Sequence, residues 1–430
     1  MIAAAEGTLP TPGLVLVIVA VAVVALLAGG ARMERVARIP AIGALVHGGW
    51  VYCAIGVCIG PLGANVIDSG RLAALQPLVA CMLALIGVIA GAQCAPSILR
   101  AIPTRLIGWV LRDTALSCVI GGVVTLLLVR ALAGPLDVAG ADGLSGALLL
   151  AASLGTIVAA TCGWAPESRT LIASAQPRAV RLAVLIQAGG GLSALIAIAL
   201  SSIGAIPLDP AAGGGMSPAP ALGAPVLAAT CIAALAVTAI AWLLLRDSGR
   251  DEPTTTVTLF GALALVAGIA SAAAGSPLLA GMLLGICIAQ LGRYSAQLLS
   301  ITQASEPVAA AALFLLAGTQ LRLDQGAAIW IAALALAAAR RTLKPGALRA
   351  SLRGERESLA LESPLVRACA RQSPMAVAVA LTAHSVLPAP AGPVLLNVIV
   401  LAGAASWVMA ALPRIERSAP AAPTGAGGSR

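Results

Sequence analysis

The stretch ACMLALIGVIAGAQCAPSILR, from Ala80 to Arg100, decides the fold class of this chain. It contains no charged residue before Arg100, and about 20 mainly apolar residues in a helix cross the roughly 30 Å hydrocarbon core of a bilayer. Gly87 and Gly91 form a G-x-x-x-G spacing, which lets the backbone of a second helix approach closely. The stretch therefore predicts a transmembrane helix that packs tightly against another helix.

Comparable stretches fill the rest of the chain. Apolar residues make up 60% of the 430 residues and charged residues only 10%, and a water-soluble domain needs more polar surface than this. Transmembrane spans are predicted near residues 13–29, 39–60, 75–95, 107–132, 144–163, 179–203, 224–245, 257–273, 277–292, 305–320, 326–340, 366–388 and 392–412. The predicted fold class is an all-α integral membrane protein with thirteen transmembrane helices.

The basic residues predict how the spans are oriented. Lys and Arg accumulate in short cytoplasmic loops, and the first span has its basic cluster after it, which is the reverse of a cleavable signal peptide. With the N-terminus outside and the C-terminus in the cytoplasm, all but three of the 26 basic residues lie inside, the exceptions being Arg71, Arg130 and Arg322. The sequence thus predicts a multi-pass protein of the bacterial inner membrane.

The connections between the spans predict one domain. Residues 1–417 form the transmembrane domain, in which a Gly- and Pro-rich external linker, 206–225, separates two halves. A basic cytoplasmic loop is predicted at 341–366. Residues 418–430 are small and polar, so we expect a disordered tail.

Several function classes find no support in the sequence. The nine cysteines stand singly, without a C-x-x-C pair, so neither a metal site nor a disulfide framework is predicted. No Ser-His-Asp order or phosphate-binding loop stands in a suitable context, so we expect neither an enzyme nor a cofactor. The net charge of +9 comes from basic residues in loops between spans and is not attributed to nucleic acid.

Together with Ala80–Arg100, four further stretches form a series of local motifs along the chain. Arg38–Leu72 is a Pro-led apolar run ending in a Gly-Pro turn, Ala272–Gln290 carries Gly-Ser-Pro before a small-residue helix, and Ala304–Asp324 starts with Glu-Pro. Arg367–Leu381 (RACARQSPMAVAVAL) follows. Over nearly the whole chain, this order resembles the monovalent cation:proton antiporter superfamily, the sodium/proton exchanger-like domain of bacterial potassium and sodium antiporters.

The resemblance implies two inverted repeats in which two interrupted helices cross at the middle of the membrane. The fifth and twelfth spans occupy the places of these helices. Gly155 and Pro374 are the predicted breaks, because Gly and Pro loosen the hydrogen bonds of a helix. Ser153 and Thr156 flank the first break, and Gln372 and Ser373 precede the second.

The acidic chemistry that the resemblance implies is missing. Members of this family carry one or two carboxylates in the sixth span, where a proton and a cation compete. Here that span, RLAVLIQAGGGLSALIAIAL from Arg181 to Leu200, has Ala188 and Gly189 to Gly191 at the corresponding positions. The predicted substrate or ion site is therefore neutral and consists of Ser153, Thr156, Gln187, Ser193, Gln372 and Ser373.

Two pairs of charged residues have more than one possible function. Arg340 or Arg341 matches the basic residue with which the family neutralises its broken helices, but both also fit as cytoplasmic anchors. Asp113 and Glu306 are placed near cytoplasmic helix ends, where a cap or an interfacial ion pair is expected.

Two functions follow from this sequence. The first is secondary transport by alternating access, in which a homodimer in the lipid bilayer exchanges a monovalent cation or a small solute for protons. The second is a non-transporting membrane partner or sensor that retains the scaffold and acts through its basic cytoplasmic segment, Arg340–Arg371.

Overall fold

The computed structural model describes residues 49–67, 72, 74–93, 192, 194–199, 220–247, 252–273, 275–290, 295–322, 327–352, 374–386 and 391–411, and scattered positions from 108 to 123. Within these residues it has the helices α1 (Trp50–Ile59), α2 (Gln76–Gln93), α3 (Pro220–Asp247), α4 (Glu252–Ala272), α5 (Pro277–Gln290), α6 (Ser295–Thr319), α7 (Ala327–Leu352), α8 (Pro374–Val386) and α9 (Ala391–Ala411). Each overlaps one predicted span. The first and fifth spans lie outside the described residues.

The described helices have the length and the apolar composition of a membrane domain. Five of them contain a segment that is long and apolar enough to cross a bilayer: Gln76–Gln93, Pro225–Arg246, Pro253–Ala272, Ser300–Thr319 and Gly392–Met409. Helices α1, α5 and α8 are apolar but shorter. The predicted fold class is confirmed as an all-helical membrane protein.

Helices α3 and α4 turn wide apolar faces outward. Ile232 is 66% exposed and Val257 is 72% exposed, and Leu243 and Phe260 are exposed beside them. Such a surface is unfavourable in water, whereas lipid tails are as apolar as these side chains. These faces therefore lie against lipid or another apolar surface.

Hydroxyl groups inside the helices bond to their own helix. Thr238 donates to the Ala234 carbonyl at 2.6 Å, Thr382 to the Ala378 carbonyl at 2.9 Å, and Ser406 to the Gly403 carbonyl at 2.7 Å. A bilayer core offers no water as a partner, and these three hydroxyls are paired with carbonyl oxygens of their own helices instead.

The closest packing of the described helices joins α2 and α5. A Cβ atom added to Gly87 would meet the Leu278 carbonyl and the Met282 nitrogen, and one added to Gly281 would meet the backbone of Ala84. Only glycine leaves the backbones of two helices room to touch in this way. The tight packing predicted from the G-x-x-x-G spacing in Ala80–Arg100 is thus present.

Helices α1 and α6 repeat this crossing. A Cβ atom on Gly56 would meet the Leu315 carbonyl, and one on Gly318 would meet the Cys53 carbonyl. One constant shift in residue number carries Cys53 and Gly56 of α1, and Gly60 directly after it, onto Leu278, Gly281 and Gly285 of α5. A second carries Ala84, Gly87 and Val88 of α2 onto Leu315, Gly318 and Thr319 of α6. The two helix pairs therefore pack in the same register.

The start of α1 is fixed on α6. Gly49, the residue before α1, has φ 78°, a left-handed conformation that favours glycine. A Cβ atom there would also meet the Phe314 ring, which packs edge-on against Trp50 with 4.8 Å between ring centroids.

Several described helices extend beyond their predicted bounds, among them α6, α7 and α3. Helix α6 begins at Ser295, about three turns before the predicted start at residue 305. Helix α7 continues to Leu352, so the first part of the predicted cytoplasmic loop is helical. Helix α3 begins at Pro220, inside the predicted external linker. In each case the added residues mix polar or small side chains with apolar ones, so they form no continuous apolar run.

Alanine substitutions at glycines separate close packing from helix propensity. Gly87→Ala and Gly281→Ala should lower the thermal midpoint of unfolding in detergent, since overpacking costs about 1–3 kcal/mol. Tryptophan fluorescence during heating measures the midpoint.

Gly261 and Gly268 in α4 provide matched controls, because a Cβ atom there meets nothing within 4 Å. Gly261→Ala and Gly268→Ala should leave the midpoint unchanged or raise it, since alanine favours a helix by up to about 1 kcal/mol over glycine. An equal decrease in all four variants would contradict the glycine crossings.

Candidate functional site

Most of the predicted site lies outside the described residues. This holds for the hydroxyl, amide and glycine positions of the fifth, sixth and twelfth spans, namely Ser153, Gly155, Thr156, Gln187, Ser193, Gln372 and Ser373. Pro374, Arg340 and Arg341 are the predicted residues that the structure describes. The grouping of the neutral residues around one centre stays a prediction.

Pro374 is the first residue of α8. Proline is favoured at the first position of a helix, where the missing N–H has no helical partner in any case. The next residues of α8, Met375 to Leu381, are all buried, and this helix packs against α6, α9, α2 and α5. The residues directly before Pro374 lie outside the described part of the chain, so the predicted break at this position stays a prediction.

Arg340 and Arg341 have different surroundings in the structure. Arg340 is only 4% exposed and continues the buried stripe of α7 formed by Ala333, Leu336 and Ala337. Arg341 is exposed, and its Nη1 donates to the Met409 carbonyl in the last turn of α9. Arg341 therefore caps the C-terminal end of α9, where a positive charge also favours the helix dipole. Of the two arginines, Arg340 is the one that faces the protein interior.

A buried asparagine fastens α9 to the connection after α6. Asn397 is fully buried; its Nδ2 donates to the Arg322 carbonyl at 2.5 Å, and the Arg322 N–H donates to its Oδ1 at 3.2 Å. Both polar atoms of the amide are thereby paired with backbone. The sequence marked Arg322 as one of three external basic residues but gave no sign of this contact.

The end of α8 approaches the same connection. His384 lies in the last turn of α8, and its imidazole interacts with the Gly392 backbone at the start of α9. Among the described residues, Arg322, His384 and Asn397 form the polar end of the α6, α8 and α9 group. By the predicted topology this end faces outside.

The acidic residues of the described part are few. Asp247 ends α3 and Glu252 begins α4, whereas Glu306 lies inside α6. Glu306 was expected near the cytoplasmic end of its helix, but α6 begins at Ser295 and places it about three turns further in. Residues 295–304 mix polar and apolar side chains, so a search for continuous apolar runs misses the start of this helix.

Comparison with known proteins shows the fold. The chain is similar to the sodium proton antiporter MjNhaP1 from Methanocaldococcus jannaschii at pH 8, with a TM-score of 0.57 and 15% identity over 93% of this chain and 96% of that one. A second structure of MjNhaP1, from an electron-microscopy map, matches with a TM-score of 0.54 and 15% identity over 94% and 99%. This chain has the fold of a sodium/proton antiporter.

No protein-family model and no curated protein matches the sequence. The likeness to MjNhaP1 covers nearly the whole of both chains, so the antiporter fold accounts for the whole chain rather than for one part of it. The resemblance found in the sequence is thereby confirmed at the level of the fold, for a multi-pass membrane protein.

Removing the amide of Asn397 should destabilise the fold. Asn397→Leu removes the amide that pairs with the N–H and carbonyl of Arg322, and a typical hydrogen bond contributes about 0.5–1.5 kcal/mol to stability. We expect a lower thermal midpoint of unfolding in detergent.

Ser385→Ala is the matched control, because Ser385 is exposed and bonds only to the Thr382 carbonyl of its own helix. Its midpoint should stay at the wild-type value. A similar decrease in both variants would argue against the contact between Asn397 and Arg322.

Proposed function

We propose that this chain is a secondary transporter of the monovalent cation:proton antiporter superfamily, and not an enzyme. It exchanges a monovalent cation or a small solute for protons across the inner membrane by alternating access. The observation that carries the proposal is the antiporter fold over 93% of the chain. Fold alone does not determine function, so the packing and charge of this chain supply the further arguments.

The equivalent glycine crossings support two inverted repeats. The second and third predicted spans contain α1 and α2, and the ninth and tenth contain α5 and α6. Exchanging α1 with α5 and α2 with α6 maps one crossing onto the other. In the predicted topology the second and ninth spans run in opposite directions, so the symmetry that relates them inverts the membrane. Repeats of this kind alternate access around a site at their interface.

Arg340 supports a polar centre inside this fold. A charged side chain within a membrane domain is costly, and such residues mark ion pathways or binding sites. Arg340 is buried on the face of α7 that packs against α9. A fixed positive charge stabilises the helix ends and carbonyls of interrupted crossing helices, which is the function proposed for Arg340 here.

Transport is tested with purified protein in liposomes that contain a pH-sensitive dye. A pulse of sodium, potassium or lithium should change the internal pH for the wild-type protein. Ser153→Ala and Gln187→Ala should reduce the rate by roughly tenfold, because a lost site contact of about 1.4 kcal/mol has this effect.

Ser385→Ala is the control for these variants and should transport at the wild-type rate. If folded wild-type protein responds to none of these cations, nor to small solutes supplied in the same way, the transporter proposal is wrong. The non-transporting partner or sensor would then be the better account of the scaffold.

The two arginines of α7 should differ in transport. Arg340→Gln removes the buried charge and should slow exchange by roughly tenfold. Arg341→Gln removes a cap at the surface and should change the rate by less than about twofold, since exposed charge contacts contribute up to about 1 kcal/mol and do so to folding.

Both arginine variants are assayed in the same liposomes, with gel filtration as the check of folding. Equal losses of transport in Arg340→Gln and Arg341→Gln would mean that the pair serves as cytoplasmic anchors.

A further inference from the structure

Helix α6 holds a carboxylate inside the membrane domain. Glu306 lies about three turns from either end of Ser295–Thr319, within the apolar segment Ser300–Thr319. Asp247 and Glu252, the other acidic residues that the structure describes within helices, stand at helix ends. An ionisable residue within a membrane span is costly to keep and marks a functional site by default.

Glu306 projects from the inward side of α6. Thr302, Ala309 and Leu313 lie on the same side at helical spacing, and their exposures are 3%, 0% and 0%. Ala304 and Val308, on the opposite side, are exposed. Glu306 itself is half-buried. Its carboxylate therefore leaves the helix toward the protein rather than toward lipid.

Oxygen atoms are concentrated in this turn of α6. Pro307 has no N–H, so the Gln303 carbonyl loses its usual helical donor. The Ser305 hydroxyl donates to the carbonyls of Ile301 at 3.0 Å and Thr302 at 3.2 Å, which leaves its oxygen lone pairs available. Carboxylate, hydroxyl and carbonyl oxygens are the ligands that hard cations prefer.

A small cleft reaches this turn. It lies between α2, α4, α5 and α6 and has space of about 20 Å³, enough for one water molecule. Its walls are apolar except for Thr302 and Ser305. Thr302 stands one helical turn before Glu306, so their Cβ atoms are about 5–6 Å apart. Glu306 itself does not line the cleft, whereas Thr302, one turn before it, does.

Within the part of the chain that the structure describes, the helices packed against α6 carry few groups that titrate. Helices α1, α2, α5 and α8 contain no Asp, Glu, Lys or Arg. Their titratable side chains are Tyr52, Cys53, Cys58, Cys81, Cys287 and His384. Of these, only histidine ordinarily titrates near neutral pH, and His384 stands in the last turn of α8.

We propose that Glu306 is the proton- and cation-binding carboxylate of this protein, in place of the one missing from the sixth span. The protonated carboxyl releases its proton as an alkali cation binds to the carboxylate, and the reverse step restores the acid. One site thereby holds either a proton or a cation. This inference rests on the proposed exchange function and names the group that couples the two fluxes.

The test uses the full chain in proteoliposomes with an internal pH dye and pulses of sodium, potassium and lithium chloride. Glu306→Gln cannot release a proton, so its cation-driven proton flux should fall at least about tenfold. Glu306→Asp keeps the carboxylate and should retain measurable flux. Glu252→Gln, at the start of α4, is the control and should match the wild type.

A second measurement follows binding without transport. A bound cation raises the thermal midpoint of the folded state, so the wild-type midpoint in detergent should rise with the concentration of the effective cation. The rise should disappear in Glu306→Gln. Thr302→Val, a change of similar shape, should weaken it and provides the test if Glu306→Gln fails to fold.

The outcomes distinguish this inference from the proposed function. Wild-type flux that persists unchanged in Glu306→Gln would overturn the assignment of Glu306 and leave the transporter intact. Absence of flux in the wild type, with a cation shift that depends on Glu306, would overturn transport alone. If His384→Gln rather than Glu306→Gln removes the pH dependence of exchange, His384 is the coupling group and the proposal is wrong.

Discussion

Backbone contact between helices is the constraint on which the rest of this structure depends. In lipid, burial of apolar side chains gives little reason for helices to associate, since the lipid tails are equally apolar. Association then rests on close van der Waals contact and on hydrogen bonds. The glycines of α1, α2, α5 and α6 supply that contact, because each lies against the backbone of the facing helix.

The sequence predicts the helices well because each must match the thickness of the bilayer. Apolar length identified α2, α4, α5 and α9 within a few residues. The same rule failed at the start of α6 and the end of α7, where residues of mixed polarity continue a helix beyond the apolar segment. Hydropathy measures where a helix meets lipid, whereas backbone hydrogen bonds decide where it begins and ends.

The sequence predicts the candidate site less well than it predicts the fold. Two neighbouring arginines cannot be distinguished by sequence pattern. The structure distinguishes them, because Arg340 is buried whereas Arg341 is exposed and donates to a carbonyl at the end of α9. The sequence places Glu306 at a helix end because the predicted span starts at residue 305, whereas α6 starts at Ser295. Asn397 gave no signal, since its partners are backbone atoms of a residue 75 positions away. Contacts of this kind leave no pattern in neighbouring residues.

The amide of Asn397 also limits how this protein can move. Two hydrogen bonds tie the second turn of α9 to Arg322, directly after α6, and the amide that makes them is fully buried. A motion that slid these parts past one another would leave the buried amide of Asn397 without its backbone partners. The C-terminal end of α6 therefore moves with the first turns of α9 as one body.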